Sequence, residues 1–331
     1  MALIQMENVG KDFKVYKRQK GFWNNTKALF ARKYETVHAV QNISFEIEKG
    51  ELVGYIGQNG AGKSTTIKML SGILVPSSGK IVVNGIVPYQ NRRANAMNIG
   101  VVFGQRSQLN WDLPTEDTFD LYRKMYKVSD VAFRRNVELF TDILGLGDFI
   151  RTPVRQLSLG QKMRAEIAVS LLHDPEILYL DEPTIGLDVL VKERIRLFIR
   201  ELNREKKTTV ILTTHDMMDI DTICDRIIMI DQGQKLIDQP ITDFKRQYSN
   251  ECQLAIEFET APETVDSKFT EKVRKGNQVI YIFNKNEIDV KEAFAYFVNQ
   301  FAVTDISVKP VEIDEIVRHL YQNVSESHVE N

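Results

Sequence analysis

Gly57-Gln58-Asn59-Gly60-Ala61-Gly62-Lys63-Ser64 reads G-x-x-x-x-G-K-S, a loop pattern that cradles phosphate. The stretch before it, Leu52-Val53-Gly54-Tyr55-Ile56, is a short apolar run of the kind that forms a buried parallel strand. The stretch after it, Thr65-Thr66-Ile67-Lys68-Met69-Leu70, can open a helix. The pattern therefore stands between strand and helix, the context it needs. Its glycines let backbone N–H groups close around phosphate oxygens with no Cβ in the way. The helix N-terminus adds the positive end of its dipole. Lys63 can reach the β- and γ-phosphates of a bound nucleotide, and the Ser64 hydroxyl can ligate Mg²⁺.

The chain of 331 residues has room for one large domain and one small one. Lys plus Arg number 43 and Asp plus Glu 45, a balance that gives no electrostatic case for nucleic acid. Cys224 and Cys252 make neither a disulfide framework nor a metal-ligand set. The start, Met-Ala-Leu-Ile-Gln-Met-Glu-Asn, lacks the basic and apolar regions of a secretory signal. No uninterrupted apolar run is long enough to span a bilayer. The expected location is therefore the cytoplasm, with attachment to a membrane only through a partner or a surface segment.

Residues 3–9 and 43–48 read as strands. Between them lies an insertion at about 15–37. Its 16–34 stretch holds Lys17, Arg18, Lys20, Lys27, Arg32 and Lys33, no acid, and the interleaved anchors Phe22, Trp23, Leu29 and Phe30. Such a segment can contact an anionic lipid surface or a partner, or fold its aromatics onto its own domain. Residues 80–83 and 99–103 read as strands, and 106–155 as a helical insert with periodicity at 116–126 and 130–144. A helix is expected from the stretch Leu157-Ser158-Leu159-Gly160-Gln161 to His173, where Asp174-Pro175 stops it. The apolar run Ile177-Leu178-Tyr179-Leu180 delivers Asp181 and Glu182 at a strand's C-terminal end, where an α/β sheet places its ligands. A helix at 192–205, a strand at 209–213 presenting Thr214-His215-Asp216, and a strand at 226–230 follow. Beyond about residue 244 the texture changes to a small α+β appendage. Its strands are expected at 253–259, 278–283 and 302–308, its helices at 290–300 and 313–322, and a polar, disordered tail at 323–331.

Taken in order, these motifs resemble the nucleotide-binding subunit of an ATP-binding cassette (ABC) transporter over about the first three-quarters of the chain. The stretch from Gly57 to Ser64 matches the Walker A loop and Gln105 the Q-loop glutamine. Leu157-Ser158-Leu159-Gly160-Gln161 resembles the signature Leu-Ser-Gly-Gly-Gln, and the run ending in Asp181-Glu182 matches Walker B. Ile185-Gly186-Leu187-Asp188 resembles the D-loop and His215 the switch histidine. The implied fold is an α/β phosphate-loop NTPase cassette core with an antiparallel β subdomain and a helical insert (1–244), followed by the small α+β domain (245–322).

The resemblance implies ATP hydrolysis with Mg²⁺. Gly57, Asn59, Gly60, Ala61, Gly62, Lys63, Ser64 and Thr65 would hold the phosphates. Ser64, Gln105 and Asp181 would serve the metal, Glu182 would be the general base, and His215 would contact the γ-phosphate. Ser158, Gly160, Gln161 and Asp188 would act across the seam of a head-to-tail dimer, in its simplest form a homodimer. Separate membrane-spanning permease subunits would receive the motion. The insertion, the motif Thr184-Ile185-Gly186-Leu187-Asp188 and the appendage most resemble the drug-export branch, such as daunorubicin- and viologen-type exporters. An importer ATPase and a soluble cassette acting on ribosomes or DNA are the alternatives. Two departures stand out. Leu159 replaces the first signature glycine, and the adenine-stacking aromatic is displaced, leaving Phe13 as the best match and Tyr16 as the second.

Overall fold

The computed structural model describes residues 2–16, 34–104, 107–248, 251–310 and 313–321 apart from 315 and 319. Two compact units divide the chain at Pro240/Ile241, four residues before the change of texture in the sequence.

In the first unit, the apolar runs become a six-stranded sheet in the order β5-β6-β7-β3-β8-β9. Its strands are β3 (Leu52–Gly57), β5 (Ile99–Phe103), β6 (Ile177–Asp181), β7 (Thr209–Thr213), β8 (Arg226–Asp231) and β9 (Gln234–Pro240). All neighbours are parallel except β8 and β9. Every residue of β3, β6 and β7 is buried, which is why these strands read as continuous apolar runs and not as alternation. A second, antiparallel sheet joins β2 (Tyr34–Ile47), β1 (Ile4–Tyr16) and β4 (Ser78–Val83).

The hairpin of β1 and β2 corrects the sequence reading. Both strands run well past the expected 3–9 and 43–48, and Val15 pairs with Glu35 and Tyr16 with Tyr34. Both ends of the expected 15–37 insertion are thus strand, and its basic core at 17–33 lies outside the described residues. The extension was missed because its residues are largely exposed, so no burial pattern marks them.

Helices α1 (Lys63–Leu70), α2 (Arg92–Asn98), α3 (Thr115–Met125), α4 (Asp130–Leu144), α5 (Leu159–Leu171), α6 (Val189–Lys206) and α7 (Met217–Ile223) complete this unit. Their ends are set by local chemistry. Ser129 caps α4 by accepting from Ala132 N at 3.3 Å, and Gly145 ends it at φ 61°. Asp188 caps α6 by accepting from Val191 N at 2.9 Å. In α5 every residue from Ala165 to Leu171 is buried, which locks the helix on all sides. Strand β9 and helix α2 were not read in the sequence; both are short and mostly exposed.

The second unit holds a four-stranded antiparallel sheet ordered β11-β12-β10-β13. Its strands are β10 (Glu251–Phe258), β11 (Thr270–Lys275), β12 (Gln278–Asn284) and β13 (Val303–Pro310), with α8 (Ile241–Tyr248) before them and α9 (Val290–Gln300) before β13. Phe258, Phe269, Tyr281, Phe283 and Phe297 pack its core. Residues 313–321 are helical where described, and the stretch read as a tail lies outside the described residues. Among the described residues no helix is long and apolar enough to cross a membrane.

Candidate active site

The phosphate-loop pattern folds as the sequence requires. Strand β3 ends at Gly57, the loop turns, and α1 begins at Lys63. Gly60 and Gly62 have φ of 86° and 107°, which only glycine adopts without strain. At Gly62 a side chain is doubly forbidden, because a Cβ would sit 2.4 Å from the Ala39 carbonyl oxygen of β2. A Cβ on Gly60 would meet nothing within 4 Å, so this turn of the loop faces open space. The loop is braced from behind. Gly233 N donates to Ala61 O at 3.1 Å, and Gln41 N of β2 donates to Gly233 O at 2.7 Å. The first turn of α1 carries no acid, which leaves its N-terminal field favourable to an anion.

A cleft of about 600 Å³ opens over this loop. Asn59, Gly60, Gly62, Lys63, Ser64 and Thr65 line it from the loop side, and Asp181, Glu182 and His215 from the strand ends. Ala39, Lys68, Ile73, Phe103 and Gly104 also line it and were not expected at the site from the sequence, and so does Ile185, the first residue of the stretch that resembles the D-loop. Lys63 is buried, and its Nζ donates to the Gly57 carbonyl at 2.7 Å and the Gln58 carbonyl at 3.1 Å. Burial lowers its pKa, and the charges of Glu182 and Asp181 partly offset this.

Asp181 ends β6 and accepts a 2.6 Å hydrogen bond from Thr213 Oγ1, its neighbour in register on β7. Glu182 follows at φ 57°, a left-handed backbone unusual for a non-glycine residue. Its N–H donates to Thr213 O at 2.9 Å, and its Oε1 lies 2.8 Å from His215 Nε2. Parallel pairing of β6 and β7 brings this carboxylate and this imidazole together, although 33 positions separate them in the sequence. The donor set suits Mg²⁺, which takes one or two carboxylates and leaves other positions to water and phosphate. Ser64 and Asp181 line the same cleft, and no cluster of three or more His, Cys, Asp or Glu that could hold a metal occurs among the described residues.

A family model described as ABC transporter matches residues 40–185. The ABC transporter ATP-binding protein NatA of Bacillus subtilis is 35% identical over 205 residues, covering 62% of this chain and 83% of NatA. The chain belongs to the ABC transporter ATPases. It is an ATP-binding subunit that hydrolyses ATP with Mg²⁺. The linearmycin resistance ATP-binding protein LnrL of B. subtilis is 36% identical, over 60% of this chain and 63% of LnrL. The methionine import ATP-binding protein MetN 2 of Lactiplantibacillus plantarum is 31% identical, over 72% of this chain and 71% of MetN 2. Among solved structures, the post-hydrolysis dimer of the cassette MJ0796 bound to ADP and Pi matches with a TM-score of 0.60 and 26% identity. That match covers 72% of this chain and 98% of MJ0796.

In this ABC ATPase the other described residues that the sequence led us to expect at the site do not line the cleft. Ser158, Gly160, Gln161 and Asp188 are not among the cleft-lining residues. Ser158 instead starts α5 through a reciprocal capping box: its Oγ accepts from Gln161 N at 3.2 Å, and Gln161 Oε1 accepts from Ser158 N at 2.8 Å. Leu159 is about half exposed, and its side chain reaches toward Gly186 of the loop before α6. Phe13 lies on β1 with Lys11 Nζ 5.2 Å from its ring centre and does not line the cleft. Tyr16 pairs through its backbone at the end of the same strand. Gln105 lies outside the described residues.

Sequence reading also missed a buried polar cluster behind the cleft, made of Thr184, Thr214, Asp219 and Arg196. Its available signal was Asp219, an acid four residues after His215 and next to the apolar Ile220.

Proposed function

We propose that the chain is the ATP-hydrolysing engine of a membrane exporter, working as a homodimer on the cytoplasmic face beneath separate membrane-spanning permease subunits. The observation that carries the chemistry is the 2.8 Å contact of Glu182 with His215 beside Lys63, Ser64 and Asp181 in one cleft. Lys63 and the loop amides hold the β- and γ-phosphates. Ser64 and Asp181, with Gln105, hold Mg²⁺, which neutralises charge on those phosphates when bound. Glu182 takes the proton of the attacking water, and the P–O bond to ADP breaks as the water oxygen bonds to phosphorus. His215 keeps Glu182 and the water aligned. Ser158, Gly160, Gln161 and Asp188 serve the nucleotide held by the partner chain, and Phe13 stacks on adenine.

Export is favoured by the drug-export character of the sequence and by the match to a resistance protein, LnrL. Import is the second reading, favoured by the match to MetN 2. Replacing Glu182 with Gln tests the chemistry: turnover should fall by about a hundredfold or more while ATP binding is kept. A variant that turns over normally removes Glu182 from the base role. Pull-down from detergent-solubilised membranes tests the assembly, and recovery without multi-span membrane proteins would refute it.

A further inference from the structure

Glu182 and His215 belong to different loops, and nothing in their own contact fixes where those loops stand. The base sits on a left-handed backbone that local preference opposes, so its surroundings must hold it there. Behind the cleft, one carboxylate reaches both loops. Asp219 of α7 is fully buried. Its Oδ2 accepts from Thr184 Oγ1 at 2.5 Å and from Thr214 Oγ1 at 2.8 Å. Thr184 is two residues after Glu182, and Thr214 is one before His215. The other oxygen, Oδ1, accepts from Arg196 Nε of α6 at 2.6 Å. Arg196 Nη2 also donates to Asp216 Oδ2 at 3.1 Å, and Lys192 Nζ donates to the same oxygen at 2.7 Å. Lys192 and Arg196 are one helical turn apart, so both anchors come from one face of a long helix.

The geometry points to Asp219 as the positioning residue that sets the approach of Glu182 to His215, through Thr184 on one side and Thr214 on the other. The inference rests on the reading of Glu182 as base and His215 as its aligning partner. A buried carboxylate with charge-assisted bonds to three donors is a stiff joint. The two hydroxyls meet on one oxygen, so neither loop can shift without disturbing the other. Arg196 balances the charge that makes these bonds strong, and α6 supplies the rigid reference. Asp219 touches no reacting atom; its effect runs through the two loops.

Removing Asp219 would leave the buried Arg196 with Asp216 as its remaining counter-charge, its Nε unpaired, and would loosen this corner as a whole. The test therefore cuts one link. Thr184→Val keeps the shape and deletes the hydroxyl, and Asp219 keeps Thr214 and Arg196. Thr184→Ser restores the hydroxyl. Steady-state ATPase activity is measured for the full chain, with binding of a non-hydrolysable ATP analogue by fluorescence titration. Thr184→Val is expected to lower kcat about tenfold, as loss of one hydrogen bond to a charged group implies. Analogue affinity and KM should stay within about twofold, because the joint acts on alignment and not on ground-state binding. Thr184→Ser should recover most of the loss. Normal kcat in Thr184→Val, no recovery in Thr184→Ser, or a parallel fall in analogue affinity would each overturn the proposal. If Glu182→Gln turned over normally, the reading beneath it would fail instead; an inactive Glu182→Gln beside a normal Thr184→Val would overturn the positioning role alone.

Discussion

Helices α1 and α5 both begin with an acid-free first turn, so both N-termini suit an anion. They differ in what surrounds that end. The start of α1 lies under a cleft walled by Asp181, Glu182 and His215. The start of α5 lies outside that cleft, with Ser158 and Leu159 exposed. Ser158 and Gln161 meanwhile satisfy each other's backbone amides, so this end is rigid without any ligand. A single chain thus holds one helix start inside a cleft and one that is preformed and faces outward, which in the function proposed above is the half-site for a partner's nucleotide. The difference favours completion by a second copy, since a rigid exposed helix start loses little entropy on meeting a phosphate held elsewhere.

Three experiments can break or sharpen this contrast. The largest effect should come from Lys63→Ala, which removes the buried cation from the cleft. Turnover should drop by about a thousandfold, with nucleotide affinity falling too. An unchanged affinity would mean that the loop amides alone hold the phosphates. Ser158→Ala should cut turnover by about a hundredfold and leave ATP affinity of the isolated chain unchanged. Loss of the cap should lower stability by only about 1 kcal/mol, which a melting curve separates from the kinetic effect. If affinity of the single chain fell equally, the half-site would belong to its own cleft and the contrast would collapse.

The smallest effect concerns the far end of α5, where burial locks the helix. His173 stacks on Tyr126 with ring centres 4.0 Å apart, its Nε2 donates to the Ile99 carbonyl at 3.1 Å, and its Nδ1 has no hydrogen-bond partner. Burial pushes its pKa down from 6.5 to about 4. The unfolded chain therefore takes a proton that the folded chain refuses between those values. Stability from this site is complete above pH 6.5 and is lost as pH falls toward 4. The melting temperature measured across that window should decline, and His173→Phe should flatten the decline. An equal slope in the variant would assign the acid sensitivity to other groups.

Much of this molecule was legible in its residues. Gly57 to Ser64 announced the loop because positive φ, a close-lying backbone carbonyl and phosphate all demand the same residue types at the same spacing. The strands β3, β6 and β7 showed as unbroken apolar runs because both faces of that sheet are covered. Strand β9, helix α2 and the extension of the first hairpin left no such mark, because exposed residues carry little pattern.

The sequence alone determined the residue types: a glycine loop, a lysine and serine after it, paired acids at a strand end and a histidine after another strand. Only the tertiary structure decided their partners. Parallel register set Glu182 beside His215, Thr213 took hold of Asp181, and Asp219 gathered the distant Thr184 and the nearby Thr214 onto one oxygen. Local spacing is written along the chain, whereas contacts between strands depend on which strands pair, and pairing is settled by burial of the whole sheet at once.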